Sequence, residues 1–140
     1  MSSGYAGDLP PTAAYDLLRS EPKALLVDVR TDAEWTYVGM PDLAATGQAP
    51  VKLAWQLFPA MQVNPDFVAA LSRQVPDKST PLLFLCRSGV RSKAAALAMT
   101  AAGYARAYNI EEGFEGGLDP EKHRGRVGGW KARGLPWIQS

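Results

Sequence analysis

The chain has 140 residues, a length that suits one domain over residues 1–140. Its composition, 46% hydrophobic and 21% charged, is typical of a globular protein. The 15 basic and 14 acidic residues give a net charge of +1, which argues against broad binding to nucleic acid or to an acidic membrane. One cysteine excludes an internal disulfide, and with one histidine it also argues against a zinc site. We therefore expect neither metal nor cofactor.

The start of the chain carries no basic segment followed by an apolar run, so we expect no secretory signal. No stretch approaches the roughly 18 apolar residues of a membrane span. A lone thiol also suits a reducing compartment. The sequence therefore predicts a cytoplasmic protein.

In the first part of the chain the patterns predict a helix, a strand, a helix and a strand. Thr12 is a candidate helix cap before apolar residues at helical spacing. Residues 24–29 form an apolar run typical of a strand buried on both faces. Thr31 and Glu34 match a capping box, which predicts a short helix. Residues 51–55 are a candidate second strand.

The second part repeats the alternation. Residues 64–65, Asn-Pro, predict a helix start, and residues 81–85 are the clearest central strand. Residues 92–102 are alanine-rich and predict a helix, 107–110 predict another strand, and 130–133 a last helical turn. Strands that alternate with helices indicate an α/β fold, in which helices cover both faces of a parallel sheet.

The loop between the central strand and the alanine-rich helix carries the chemistry. Cys86 follows the strand, at the edge where open parallel sheets bind ligands. The loop amides and the helix dipole form a cradle for an anion, and Gly89 allows the tight curl. Arg87 and Arg91 add positive charge, and Ser92 is expected to cap the helix.

These features predict that Cys86 is a catalytic nucleophile. The helix dipole and the arginines favour the thiolate at neutral pH, which is the reactive form of cysteine. The alternative is a buried structural cysteine, but the charged and flexible residues around Cys86 favour the catalytic interpretation. The expected substrate-binding residues are Arg87, Ser88, Gly89, Val90, Arg91 and Ser92.

The sequence resembles the rhodaneses, a family of sulfurtransferases, over residues 8–137. Residues 86–92, CRSGVRS, resemble the active-site loop of that family. Residues 27–30, VDVR, with Glu34, Trp35 and Gly39 resemble its aspartate-containing strand end. The remaining matches are residues 108–110 and 113–114, then Trp130 and residues 134–137. Residues 39–41, Gly-Met-Pro, depart from the Gly-His-Ile that is common in the family.

The resemblance implies a single rhodanese-like domain with a central parallel sheet of five strands. It also implies that Cys86 accepts sulfur from a donor such as thiosulfate and holds it as a persulfide. A thiophilic acceptor, cyanide or a thiol, then removes the sulfur. The expected partners are a small anionic sulfur donor and a thiol or protein acceptor, with no nucleic acid and no membrane.

Cysteine-dependent phosphatases use a similar loop, so the spacing between the cysteine and the arginine has to distinguish a sulfurtransferase from a phosphatase. Their pattern places five residues between cysteine and arginine, whereas four separate Cys86 from Arg91. The shorter ring suits one sulfur atom better than a tetrahedral phosphoryl group. An arsenate reductase would need a second cysteine to resolve its intermediate. Both activities are the less favoured alternatives. A further alternative is a non-catalytic or redox-sensing module that binds a partner protein.

Three other residues are candidates for a supporting role around the site. Asp28 and Arg30 end a buried strand, where the favoured interpretation is structural. In that interpretation Asp28 binds loop backbone and Arg30 pairs with Glu34. Phe114 is a candidate wall of the pocket. The charged, glycine-rich segment 116–129 is expected to be an exposed loop whose role the sequence leaves open.

Overall fold

The centre of the molecule is a sheet of five parallel strands. The computed structural model describes residues 4–57, 62–117, 120–124 and 128–138. The strand order is β1 (Gly7–Leu9), β8 (Ala107–Ile110), β7 (Leu82–Leu85), β2 (Leu25–Asp28) and β4 (Val51–Lys52). Every neighbouring pair is parallel. The predicted α/β fold with a five-stranded parallel sheet is therefore confirmed.

Helices cover both faces of this sheet, and two short antiparallel pairs lie outside it. The helices are α1 (Pro11–Ser20), α2 (Asp32–Tyr37), α3 (Phe67–Gln74), α4 (Val90–Ala101) and α5 (Gly129–Ala132), with a 3₁₀ turn at Ala44–Thr46. The pairs are β3 (Met40–Pro41) with β9 (Trp137–Ile138), and β5 (Gln56–Leu57) with β6 (Gln62–Val63).

The alternation of side chains along β7 explains why the sheet needs two layers of helices. Leu82 and Phe84 face one way and join a cluster with Phe67 of α3 and Met99 of α4. The alternate residues of the strand join a second cluster on the opposite face, with residues of α1 and α5. A strand that is buried on both faces requires a continuous apolar run, which is the pattern that predicted it.

Several predicted boundaries were wrong by a few residues. Thr12 does not cap α1, because the helix begins at Pro11, whose fixed φ suits a first helical position. Asn64 does not start α3 either: its side chain accepts a hydrogen bond from the Asp66 amide in a turn, and the helix begins at Phe67. The second strand ends at Lys52 rather than at residue 55.

The carboxyl ends of the parallel strands meet at one edge and position the site. Cys86 directly follows β7, and Asp28 ends the neighbouring strand β2. The Val29 amide donates to the Leu85 carbonyl at 2.8 Å, so the two chains stay paired as they leave the sheet. Among the described residues, no helix is long and apolar enough to cross a membrane.

Candidate active site

The loop after β7 curls around the sulfur atom of Cys86. The Gly89 amide donates to Cys86 Sγ over 3.1 Å. Gly89 has a φ of 109°, a conformation that side chains resist, and it directly precedes α4. The positive end of the helix dipole therefore points toward the thiol. Cys86 itself is 1% exposed.

A second loop, after β8, holds this curl in place. The Phe114 amide donates to the Cys86 carbonyl at 2.8 Å, and the Glu115 amide to the Arg87 carbonyl at 3.0 Å. Gly113 allows the close approach, because a Cβ there would lie 2.5 Å from the Cys86 carbonyl oxygen. These contacts hold the loop in the curl that directs the Gly89 amide at the sulfur.

Arg91 braces the loop against α2. Its two terminal nitrogens donate to the two carboxylate oxygens of Glu34 at 2.8 and 2.9 Å. Glu34 also completes the capping box with Thr31, as the sequence predicted. Besides the positive charge expected from the sequence, Arg91 therefore has the geometry of a brace for the loop. A forked pair of this kind fixes orientation as well as distance.

The pair shifts the protonation of both partners. Burial raises the pKa of Glu34, but the hydrogen bonds and the charge of Arg91 outweigh it, so the pKa lies below its ordinary value of 4.5. Burial lowers the pKa of Arg91, but Glu34 and the nearby Cys86 and Asp28 raise it above its ordinary value. The brace is therefore fully ionised at neutral pH.

Asp28 and Arg30 form a second, fully buried ion pair. Arg30 Nε lies 2.9 Å from Asp28 Oδ1, and Arg30 Nη2 lies 2.7 Å from Asp28 Oδ2. The predicted pair between Arg30 and Glu34 was wrong, since Arg30 also donates to the Gly39 carbonyl and its guanidinium lies over the Phe114 ring. Asp28 does accept from loop backbone, namely the Arg30 amide.

Phe114 does not form a wall of the cavity. The side chain is completely buried. Its ring packs between the Arg30 guanidinium, 4.4 Å away, and the edge of Trp137. The prediction of a pocket wall was therefore wrong, and Phe114 supports the site from below through its ring and its backbone amide.

A cavity of about 630 Å³ opens above Cys86. Five residues of the predicted loop line it, namely Cys86, Arg87, Ser88, Val90 and Arg91. Gly89 and Ser92 are not among the lining residues. The cavity therefore places a buried thiol at its floor and the exposed side chain of Arg87 at its mouth.

Residues far away in the sequence complete the wall of this cavity, and no sequence pattern predicted that they belong to the site. They include Glu34 and Gln56, and also Glu115 and Arg124 of the loop after β8. Arg124 donates to the Gly116 carbonyl at 2.8 Å, which places this part of the charged segment beside the site. Residues 118–119 and 125–127 of that segment lie outside the described part of the chain.

Ser92 does not cap α4, contrary to expectation. It lies in the first turn of the helix, which begins two residues earlier than predicted, and it is completely buried. Its Oγ lies 3.2 Å from Cys86 Sγ and donates to Asn109 Oδ1 at 2.5 Å. Asn109 was also missed. The available signal was one amide side chain inside the otherwise apolar strand β8.

Comparisons with known proteins agree with this fold. The family described as the STR4 middle domain matches residues 8–140, so the chain belongs to that family. Uncharacterized protein RC0915 of Rickettsia conorii is 43% identical over 127 residues, 90% of this chain and 92% of that protein. Rhodanese-like domain-containing protein 4 of Arabidopsis thaliana, a chloroplastic protein, is 29% identical over 90% of this chain but only 24% of its own length.

Two solved structures define the fold more closely. The crystal structure of Rv0390 from M. tuberculosis is 48% identical, with a TM-score of 0.90 over 97% of this chain and 99% of that one. The polysulfide-sulfur transferase homodimer of Wolinella succinogenes is 22% identical, with a TM-score of 0.62 over 95% of this chain and 78% of that one. The fold of this chain is rhodanese-like, since the rhodanese-like domain protein from Staphylococcus aureus, 17% identical, matches it with a TM-score of 0.56 over 96% of this chain and 98% of that one.

Proposed function

We propose that this chain is a sulfurtransferase that carries sulfur on Cys86 as a persulfide. The observation that carries the proposal is the loop curled around Cys86, with the Gly89 amide 3.1 Å from Sγ at the floor of the cavity. Backbone amides and a helix N-terminus stabilise an anion at that point. The anion is first the thiolate and later the outer sulfur of the persulfide.

The proposed reaction has two steps. The Cys86 thiolate attacks the outer sulfur of thiosulfate, a new S–S bond forms, and the S–S bond of the donor breaks as sulfite leaves with the electron pair. The acceptor, cyanide or a thiolate, then attacks the outer sulfur of the persulfide, and Cys86 leaves as thiolate. Such double-displacement chemistry is the usual outcome of covalent catalysis.

The surroundings of Cys86 support an anionic donor and an acceptor larger than cyanide. Arg87 is exposed at the cavity mouth, where its permanent charge attracts a dianion such as thiosulfate. The volume of about 630 Å³ lies within the range of small-molecule sites and leaves room for an organic thiol or a cysteine on a protein. The similarity in fold to a polysulfide-sulfur transferase makes polysulfide a second donor to test.

The test is a panel of reactions with the purified protein. We expect cyanide-dependent turnover with thiosulfate or polysulfide, and faster turnover with a small thiol as acceptor. We expect no hydrolysis of an aryl phosphate, because only four residues separate Cys86 from Arg91. Phosphate release with no sulfur transfer would replace the proposal by a phosphatase. Inactivity with every donor would favour a module that only binds a partner.

A further inference from the structure

A continuous chain of hydrogen bonds leads from Cys86 to the edge strand β1. Cys86 Sγ lies 3.2 Å from Ser92 Oγ, and the Ser92 hydroxyl donates to Asn109 Oδ1 at 2.5 Å. Asn109 Nδ2 donates to Asp8 Oδ1 at 2.9 Å. The Tyr5 hydroxyl donates to the same carboxylate oxygen at 2.7 Å. Ser92 and Asn109 are buried, so water does not compete for the contacts of Ser92 with Cys86 and Asn109, whereas the Asp8 carboxylate at the far end is exposed.

The Asp8 carboxylate at one end of this hydrogen-bond chain determines which group is the donor in each of its hydrogen bonds. A carboxylate only accepts hydrogen bonds, so Asn109 must turn its NH₂ group toward Asp8. The planar amide then presents its oxygen to Ser92, and the single hydroxyl proton of Ser92 is committed to that oxygen. Only lone pairs of Ser92 remain for Cys86. The sulfur must therefore supply the hydrogen between them.

We propose that Asp8 and Asn109 are positioning residues which, through Ser92, favour the thiol of Cys86 over its bare thiolate and so oppose the Gly89 amide, which favours the anion. A thiol donates its S–H to Ser92 without disturbing the chain. A thiolate meets oxygen lone pairs, unless Ser92 turns its proton to the sulfur and leaves Asn109 without a donor. When Cys86 ionises, its proton passes to solvent and the chain loses one buried hydrogen bond.

The consequence for sulfur transfer rests on the proposed function. In a persulfide the charge lies on the outer sulfur, and Sγ is a neutral atom with no proton. The lone pairs of Ser92 then face an uncharged sulfur, so the penalty disappears. The chain therefore favours the sulfur-loaded state over the bare thiolate and protects the resting thiol from unwanted reactions.

Other charged groups lie around Cys86. Arg87 of its loop, Arg91 of α4, Glu34 of α2, and Glu115 and Arg124 line the same cavity, and Asp28 of β2 interacts with Arg91. The comparison of variants at Asp8 leaves all of them in place. The hydrogen bond to Asp8, with burial, raises the pKa of Tyr5 to about 12, so Tyr5 remains a donor throughout the relevant pH range.

The experiment is to measure the rate of alkylation by iodoacetamide against pH for the parent and for Asp8→Asn. Cys86 is the only cysteine, so the rate reports this thiol alone, and the uncharged reagent needs no sulfur donor. An asparagine at position 8 can donate to Asn109, which lets the amide reverse and Ser92 donate to the thiolate. We expect the midpoint of the rise of the alkylation rate with pH to be lower by about one pH unit in Asp8→Asn than in the parent. Alkylation of the variant below that midpoint is then about tenfold faster.

Two control variants test whether the shift of the midpoint comes from the direction of the hydrogen bonds, or only from the loss of a negative charge or of a neighbour of Asp8. Glu111→Gln removes one negative charge that also acts on Tyr5, but it leaves Asp8 in place. Tyr5→Phe removes a neighbour of Asp8 without changing the carboxylate. We expect the midpoint of both to stay close to that of the parent. Unfolding curves of each variant establish that the fold is intact.

The outcomes decide whether the hydrogen-bond chain acts on Cys86, and they do not depend on catalysis. A midpoint of Asp8→Asn that is unchanged, raised, or lowered no more than in Glu111→Gln overturns the proposal. Loss of sulfur transfer with any donor would overturn the proposed function, yet the alkylation profile would still test the hydrogen-bond chain. A lowered midpoint should also shorten the lifetime of the persulfide in Asp8→Asn relative to the parent.

Discussion

The floor and the mouth of the cavity are built in opposite ways. At the floor, Cys86 is 1% exposed and Ser92 is completely buried. The Cys86 sulfur makes hydrogen bonds with the Ser92 hydroxyl and with the Gly89 amide. At the mouth, Val90 is 77% exposed and the side chain of Arg87 also reaches solvent. We therefore expect the floor to determine the chemistry and the mouth to determine which reactants arrive.

The largest expected effect is at the floor. Cys86→Ser should reduce sulfur transfer by about a thousandfold or more, because a hydroxyl barely ionises at neutral pH and cannot carry sulfur. The side chains have similar volumes, so the midpoint of thermal unfolding should stay close to that of the parent. Steady-state transfer from thiosulfate to cyanide measures the loss. More than about a tenth of the parent activity would contradict the covalent mechanism.

The second expected effect is on the ring that forms the floor. One residue inserted between Val90 and Arg91 should reduce persulfide formation by roughly a hundredfold, because it widens the cradle and displaces Arg91 from Glu34. An insertion between Pro76 and Asp77, in an exposed turn, is the matched control and should leave transfer unchanged. Parent-like transfer by the first insertion would show that ring size does not select the substrate.

The third effect belongs to the mouth. Arg87→Ala should lower kcat/KM for thiosulfate by about five- to a hundredfold at low salt, because a permanent charge near the path of the donor is lost. The difference should shrink as salt screens the parent. Arg87→Lys, which keeps the charge, should recover most of the rate. An unchanged kcat/KM for Arg87→Ala at low salt would remove Arg87 from the site.

The smallest effect separates bracing from binding. Glu34→Gln should lower turnover a few-fold and destabilise the fold by about 1–2 kcal/mol, because the forked pair with Arg91 is lost. Glu21→Gln breaks the more exposed pair with Arg106, far from Cys86, and should change neither quantity by a comparable amount. Equal effects of the two substitutions would show that the Arg91 pair is an ordinary surface contact.

The pH dependence of stability gives the same pair a second test. The folded pKa of Glu34 lies below its ordinary value of 4.5, so an unfolded chain takes up this proton more readily. The stabilisation is therefore complete above that ordinary value and is lost as the pH falls through the lowered folded value. The free energy of unfolding of the parent, measured with denaturant, should fall as the pH drops through that acidic range. The free energy of unfolding of Glu34→Gln should fall less steeply.

Local patterns were sufficient to predict the parts of the fold that depend on local burial. The apolar runs predicted β7, β2 and β8, and the capping box predicted α2, because these signals act within a few residues. Strand β1 has three residues and the antiparallel pairs have two residues a strand. Segments so short carry no usable periodicity, since pairing with distant strands alone defines them.

The site, like the fold, consists of parts that depend on neighbours in the sequence and parts that depend on distant residues. The loop around Cys86 could be predicted because Cys86, Gly89 and Arg91 are neighbours in the sequence, and the role of Cys86 as nucleophile stays a prediction. The partners of that loop could not. Glu34 lies 57 residues from Arg91, and Asn109 lies 17 residues from Ser92. Spacing within a helix favoured a pair between Arg30 and Glu34, but a buried carboxylate at the end of β2 bound Arg30 instead.

The most direct test of the account is the mass of the protein after treatment with thiosulfate. We predict an increase of about 32 Da, one sulfur atom, located on the peptide that contains Cys86. The increase should disappear when cyanide is added, and Cys86→Ser should never acquire it. An unchanged mass after thiosulfate and after polysulfide, or an adduct that cyanide does not remove, would contradict the claim that Cys86 transfers sulfur.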